Sequence, residues 1–319
     1  MANDRVVAFD IGRAICMMYI VGIWHMQEYT IFNGKLPGYF YEITLGAMSY
    51  FTFASGFFNA RNYSSAKLFY IKRFCRFFAL YFLADTLMFV FGLEVLYQYV
   101  GSLFGLTNFI LPQPMTLWYI SMLILFYLIT PFLLAVKNKS EMLLRGVSIV
   151  FILYGLSHWG LIDYRTEFYF IFYLLGVFLP EHYFEKFNSK KYTLFLLSSV
   201  FLVLCCDKNI ESYNYNYIEV SAIVVLICSI TYIISSLINK KLQYFFKGLS
   251  YVSMCAYMFH RVVYKVLKDD IFVSDDAMSL KYVPIMGMVL LGVSFILQYS
   301  YDKYVFPYLS RLCSTIIVK

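Results

Sequence analysis

The sequence predicts an all-α fold, a polytopic bundle of about ten membrane-spanning helices with both termini in the cytoplasm. Three observations lead there. The 319 residues are 61% hydrophobic and only 14% charged, whereas a water-exposed surface typically calls for ~25% charged residues. Apolar runs of roughly 20 residues, each long enough to cross a bilayer, recur from one end to the other. Finally, Lys and Arg are shared very unevenly between alternate connecting segments. A transmembrane barrel would show short alternating strands instead.

Taken in order, the expected spans are 9–31, 38–60, 77–97, 116–136, 143–161, 166–180, 192–207, 218–238, 248–268 and 282–301. The sixth is short for a membrane helix. No Pro/Ser linker, low-complexity tract or internal repeat interrupts them, so one membrane domain is expected over 1–319. The opening MANDRVVAFD holds two aspartates and no small-residue cleavage site, which predicts that the first span is retained as an anchor. With the N-terminus inside, nineteen of the 26 Lys and Arg fall in inner segments and five in outer loops, while Arg261 and Lys265 lie within the ninth span. Cytoplasmic loops attract cations during insertion, so this bias supports the orientation and an even number of spans. The net charge of +7 is then a topology signal, and no nucleic-acid partner is implied. Seven cysteines, most of them inside apolar runs (Cys16, Cys205, Cys206, Cys228, Cys255), suggest packing rather than disulfides.

An ionisable residue deep in a span costs roughly 2.5–3.5 kcal/mol to insert, and such residues usually face a bundle interior or a wet cavity. Three groups stand out. In the first span, Arg13 lies near the inner edge, and His25 lies about 18 Å further along. A histidine at neutral pH suits a general base, and Glu28, three residues on, shares its face and could orient the ring. Just before the third span, 72-KRFCR-76 follows Arg61 and Lys67. These cations suit either a phosphorylated ligand, through the guanidinium fork, or anionic lipid head groups. In the ninth span, 257-YMFHRVVYK-265 carries His260, Arg261 and Lys265, for which Asp85 and Glu94 are possible partners.

No P-loop, dinucleotide turn, HExxH or nucleophile elbow is present. The four histidines (His25, His158, His182, His260) lack ligand-like spacing, so no metal is expected. The residues by themselves therefore reach a membrane enzyme or transporter with a polar cavity near the first and ninth spans.

Five segments in order carry a resemblance: 9-FDIGRAICMMYIVGIWH-25, with a basic residue about three turns before a histidine; 51-FTFASGFF-58, ending in Ser-Gly-Phe; 70-YIKRFCRFFALYFL-83, with Arg-x-x-Arg; 117-LWYISMLILFYLITPFL-133, a Trp-containing span ending in Thr-Pro; and 249-LSYVSMCAYMFHRVVY-264, with Ser-Tyr followed by Tyr-x-x-His. Together they resemble the membrane-bound acyltransferase-3 family, bacterial enzymes that O-acylate cell-surface glycans. The resemblance implies transfer of an acyl group, usually acetyl, from cytoplasmic acetyl-CoA to a hydroxyl of a surface or lipid-linked glycan. It also implies a multi-pass protein of the bacterial inner membrane, embedded in lipid; some members of that family carry an extracytoplasmic hydrolase-like domain, and the short basic tail after the last expected span predicts the stand-alone form here. In that light Lys72, Arg73 and Arg76 would hold the CoA phosphates, and Ser55-Gly56 would allow close approach of the backbone. Trp118, His260 and Arg261 would line the substrate path, Arg13 would help position the donor, and His25 would be general base or acyl carrier. A transporter or flippase of a lipid-linked sugar is the alternative reading of the same spans.

The family pattern has ten residues between the Arg and the His, whereas eleven separate Arg13 from His25. On an ideal helix an offset of eleven returns to within about 20° of the same face, and twelve lands about 120° away. Either a π-bulge or kink restores the alignment, with Gly22 a plausible place for it, or Arg13 does not act with His25.

Overall fold

The computed structural model describes residues 7–30, 36–109, 116–136, 138–179, 189–205, 217–271 and 280–318. The regular structure there is helical. Helix α1 (Val7–Tyr19) continues through a π turn, Ile20–His25, and a 3-10 turn, Met26–Tyr29. It is followed by α2 (Gly38–Arg61), α3 (Ala66–Val90), the short α4 (Leu96–Leu103), α5 (Leu117–Leu134), α6 (Lys139–His158) and α7 (Tyr164–Phe178). The second half comprises α8 (Ser189–Cys205), α9 (Tyr217–Leu237), α10 (Lys240–Val266), α11 (Val283–Ser300) and α12 (Phe306–Val318). His182, Cys206 and the cations Arg5, Lys35, Lys137, Lys186, Lys208 and Lys319 lie outside the described residues.

Local chemistry sets the boundaries. Side-chain oxygens of Ser65, Asn138, Asp163 and Asn239 accept the first backbone N–H groups of α3, α6, α7 and α10. Helix α3 stops at Gly92, whose φ of 68° lets the Gly92 and Leu93 N–H groups close back onto Phe89 and Met88.

A helix occupies each of the ten expected spans. Five stretches, Val7–Tyr29, Leu117–Leu134, Lys139–His158, Tyr217–Leu237 and Leu280–Cys313, are long and apolar enough to cross a membrane by length and composition. Helices α3 and α10 carry clustered cations, and α7 and α8 run to only 15 and 17 residues. Large apolar side chains point outward along these helices: Phe151, Leu194, Phe201 and Ile296 are each 65–69% exposed. A water-facing surface would not carry so many, but a lipid-facing one does.

Helix α1 is packed on α2, α9 and α10, which buries Asp10 and leaves Arg13 and His25 half-buried against its neighbours. The short α7 is wedged against α2 with backbones in contact. A Cβ at Gly56 would fall on the Tyr173 carbonyl oxygen, and one at Gly176 on that of Phe53. The predicted partners in the ninth span need correction. Arg261 pairs with Glu28 and Lys265 with Asp269, while Asp85 and Glu94 are buried near Tyr81 and Ser102, beside α4. Arg261 reaches Glu28 because α10 packs directly on α1 and on the turns that follow it.

Candidate active site

Helices α1 and α10 meet along a polar stripe. Ser250 Oγ donates to Asp10 Oδ1 at 2.8 Å, Arg13 Nη2 donates to Ser253 Oγ at 3.3 Å, and Tyr264 Oη donates to the Val21 carbonyl at 3.1 Å. Beside the Tyr264 contact the His25 and His260 rings stack, 4.6 Å between centroids and 3° from parallel. On α10 the partners Ser250, Ser253, Tyr257, His260 and Tyr264 recur every three or four residues, which is one helical face. On α1 the offset of twelve would throw His25 off that face, but the π turn over Ile20–His25 contains Gly22 and absorbs the surplus residue. Arg13 and His25 consequently both face α10.

A cavity of about 500 Å³ opens beside this stripe, within the ~300–1,000 Å³ usual for small-molecule sites. Arg13, Arg61, Arg73 and Arg76 line it, with Asp10 as the acidic member. The Arg73 guanidinium lies 5.4 Å from the Phe69 and Tyr127 ring centroids, which orients its fork without neutralising it. Among the described residues, neither Arg73 nor Arg76 pairs with a carboxylate. Ser55 lines the cavity with Asn59 and Asn62. Seven predicted residues do not: His25, Glu28, His260 and Arg261 lie beyond it, and Lys72, Gly56 and Trp118 lie elsewhere. Lys72 is exposed and lies off the lining. Gly56 belongs to the α2–α7 seam. Trp118 lies under the Arg165 guanidinium, 3.8 Å away, which Asp163 holds in turn.

Tyr119 and Tyr257 also line the cavity, and the histidine pair lies beside the Tyr257 ring. His260 is fully buried, and its Nδ1 is 2.7 Å from the Tyr257 carbonyl. That contact requires the proton on Nδ1 and leaves Nε2 a lone-pair acceptor. His260 Nε2 and His25 Nδ1 are both buried without a hydrogen-bond partner, and the His25 ring is partly exposed. Glu28 does not orient His25, as the sequence suggested. It takes both terminal nitrogens of Arg261, one at 3.0 Å, because a buried guanidinium demands a carboxylate more strongly than a neutral imidazole does. Arg261 Nε also donates to Thr116 Oγ1 at 3.2 Å. Among the described residues no three His, Cys, Asp or Glu side chains converge as a metal site needs.

Sequence reasoning missed Asp10, Asn59, Tyr119, Tyr127, Ser253 and Tyr257. Two of these had a signal: Ser253 and Tyr257 precede His260 by seven and three residues, at helical spacing.

This site lies within residues 6–299, which match a family model described as an acyltransferase domain. The chain belongs to the acyltransferase-3 family. It is accordingly a membrane acyltransferase. No curated protein and no solved structure matches it. In this acyltransferase the five quoted segments contribute α1, α2, α3, α5 and α10, the helices that build the cavity and the histidine pair.

Proposed function

We propose that this acyltransferase moves an acyl group, acetyl in the first place, from acyl-CoA to a hydroxyl of a cell-surface or lipid-linked glycan. It would do so in a bacterial inner membrane, spanning it ten times with both ends cytoplasmic. The observation that carries the reading is the cavity itself, which four arginines line together with Tyr257, whose ring lies beside the histidine pair. Arg73 and Arg76, with Arg61, line the cavity and suit the phosphates of CoA. Arg13, held by Ser253, stands where the pantetheine arm would pass. Glu28 positions Arg261, and the pair walls the site on the acceptor side.

In the transfer the thioester C–S bond breaks, an ester C–O bond forms, and the hydroxyl proton ends on the CoA thiol. His25 either takes that proton as general base or carries the acyl group between the two partners.

The test uses detergent-purified wild type and His25→Ala, both verified as folded and monodisperse. Acetyl-CoA should bind both proteins, and only the wild type should release free CoA when given surface glycan. Absence of acetyl-CoA binding to either protein would overturn the donor assignment and leave transport of a lipid-linked sugar as the better reading.

A further inference from the structure

The cavity stops short of the histidines. Its lining includes Tyr119 and Tyr257 but neither His25 nor His260, and the Tyr257 ring lies 6.3 Å from His25 and 5.8 Å from His260. Tyr119 and Tyr257 meet edge to face, with centroids 5.6 Å apart and planes at 68°. Aromatic carbons in contact already lie ~3.5–4.0 Å apart, so nothing passes between these two rings. Of the lining rings, Tyr257 is the one that lies against both histidines, so an acyl group moving from the cavity to His25 passes it.

Both rings are pinned at their hydroxyls. Tyr119 Oη is bonded to Thr52 Oγ1 at 3.0 Å and donates to the Met48 carbonyl at 3.3 Å. Tyr257 Oη donates to the Thr116 carbonyl at 3.1 Å. Thr116 has a φ of 69°, a value that a β-branched residue rarely adopts. It is held there from the other side by Arg261, which Glu28 anchors. Strain of this kind persists only where surrounding contacts over-determine it, and it gathers at sites that switch or clamp. Tyr169 backs Tyr119 at 6.1 Å. The barrier is a braced constriction whose latch, Thr116, precedes α5.

We infer that Tyr119 and Tyr257 form the acyl-size filter of the donor cavity, passing an acetyl-sized group to His25 and rejecting longer unbranched chains. This rests on the acyl-CoA reading above. One extra methylene in a tight apolar passage discriminates by roughly 10–200-fold, so two should make butyryl-CoA a very poor donor. The filter is rigid because each ring is fixed at two points, and a ring free to pivot would accept the longer chain. Tyr257 does double duty, since its backbone carbonyl also sets the His260 tautomer. The inference therefore concerns its side chain alone.

The experiment compares kcat/KM for acetyl-CoA, propionyl-CoA and butyryl-CoA in wild type, Tyr257→Ala, Tyr257→Phe and Tyr119→Phe, following CoA release. The wild type should favour acetyl over butyryl by at least tenfold. Tyr257→Ala should bring the two within about threefold, and the Phe variants, which keep a ring but lose its pin, should lower the ratio several-fold. Should Tyr257→Ala fail to fold, the Phe variants decide alone. An unchanged acetyl-to-butyryl ratio in variants that still turn over, or a wild type indifferent to chain length, overturns the filter while leaving the donor assignment standing. A wild type that consumes no acyl-CoA at all overturns both.

Discussion

Deleting Gly22 is expected to leave the acyltransferase folded and active. In a straight α-helix the offset of twelve between Arg13 and His25 would set them about 120° apart, and eleven about 20° apart. The π turn over Ile20–His25 takes up the surplus residue, which is why Arg13 reaches Ser253 and His25 reaches His260 on one face of α10. A Cβ at Gly22 would meet nothing within 4 Å, so removing the residue sacrifices no packing and lets the turn relax to α-helix. Inserting an alanine after Gly22 does the opposite. The offset becomes thirteen, and His25 turns by about 100°. At a side-chain radius of ~5–6 Å that rotation moves the ring by about 8 Å, well beyond the 4.6 Å that separates it from His260. Because a displacement of only ~1 Å at a reacting group costs on the order of 10²-fold in rate, the insertion should lower turnover by at least that factor. The assay is CoA release from acetyl-CoA in the presence of acceptor glycan, with thermal unfolding of both variants alongside. A dead deletion variant beside an active insertion variant would refute the argument that helical register sets the site.

Three further outcomes are expected. Arg73→Gln and Arg76→Gln should each raise the acetyl-CoA Kd by roughly 10–100-fold, the equivalent of about 1.5–3 kcal/mol for a charge-assisted hydrogen bond. Lys72→Gln, on the exposed side of α3, should change it by less than about threefold, and equilibrium binding distinguishes them. Gly56→Ala, whose Cβ would strike the Tyr173 carbonyl, should destabilise the bundle by at least ~1–3 kcal/mol, seen as a Tm several degrees lower, while Ser55→Ala leaves Tm nearly unchanged. Glu28→Gln should lower stability by about 1.5 kcal/mol, the lower end for a charged hydrogen bond, because Glu28 is 38% exposed and partly screened. A double-mutant cycle with Arg261→Gln should show coupling above ~0.5 kcal/mol, and simple additivity would mean the pair contributes nothing.

Much of this molecule was legible from residue order. Long apolar runs at 61% hydrophobic content leave little but membrane helices, and a helix indeed stands at each expected span. The motif in the first span flagged Arg13 and His25, and the eleven-residue gap required either a π-bulge or kink, with Gly22 a place for it, or an Arg13 that does not act with His25; the π turn over Ile20–His25 decides for the first. Arg73 and Arg76 were separable from Lys72 only after folding, since the three sit within five residues and only the packing around α3 decides which ones line the cavity.

Pairing across helices was not legible. Glu28 looked like a partner for His25 because it lies three residues away, yet it binds Arg261, more than two hundred residues along the chain. Asp85 and Glu94 looked available to Arg261 and pack elsewhere. Gly56 read as part of a ligand site and proved to be the point where α2 touches α7. What the sequence by itself determined is the local physics: where helices begin and end, which of them prefer lipid, and which faces carry charge. Only the tertiary structure decided which faces meet, because the choice of partner for a buried guanidinium or a bare glycine depends on packing between helices distant in sequence. The stacking of His25 on His260, and the tyrosine barrier in front of them, exist only once α1, α5 and α10 have come together.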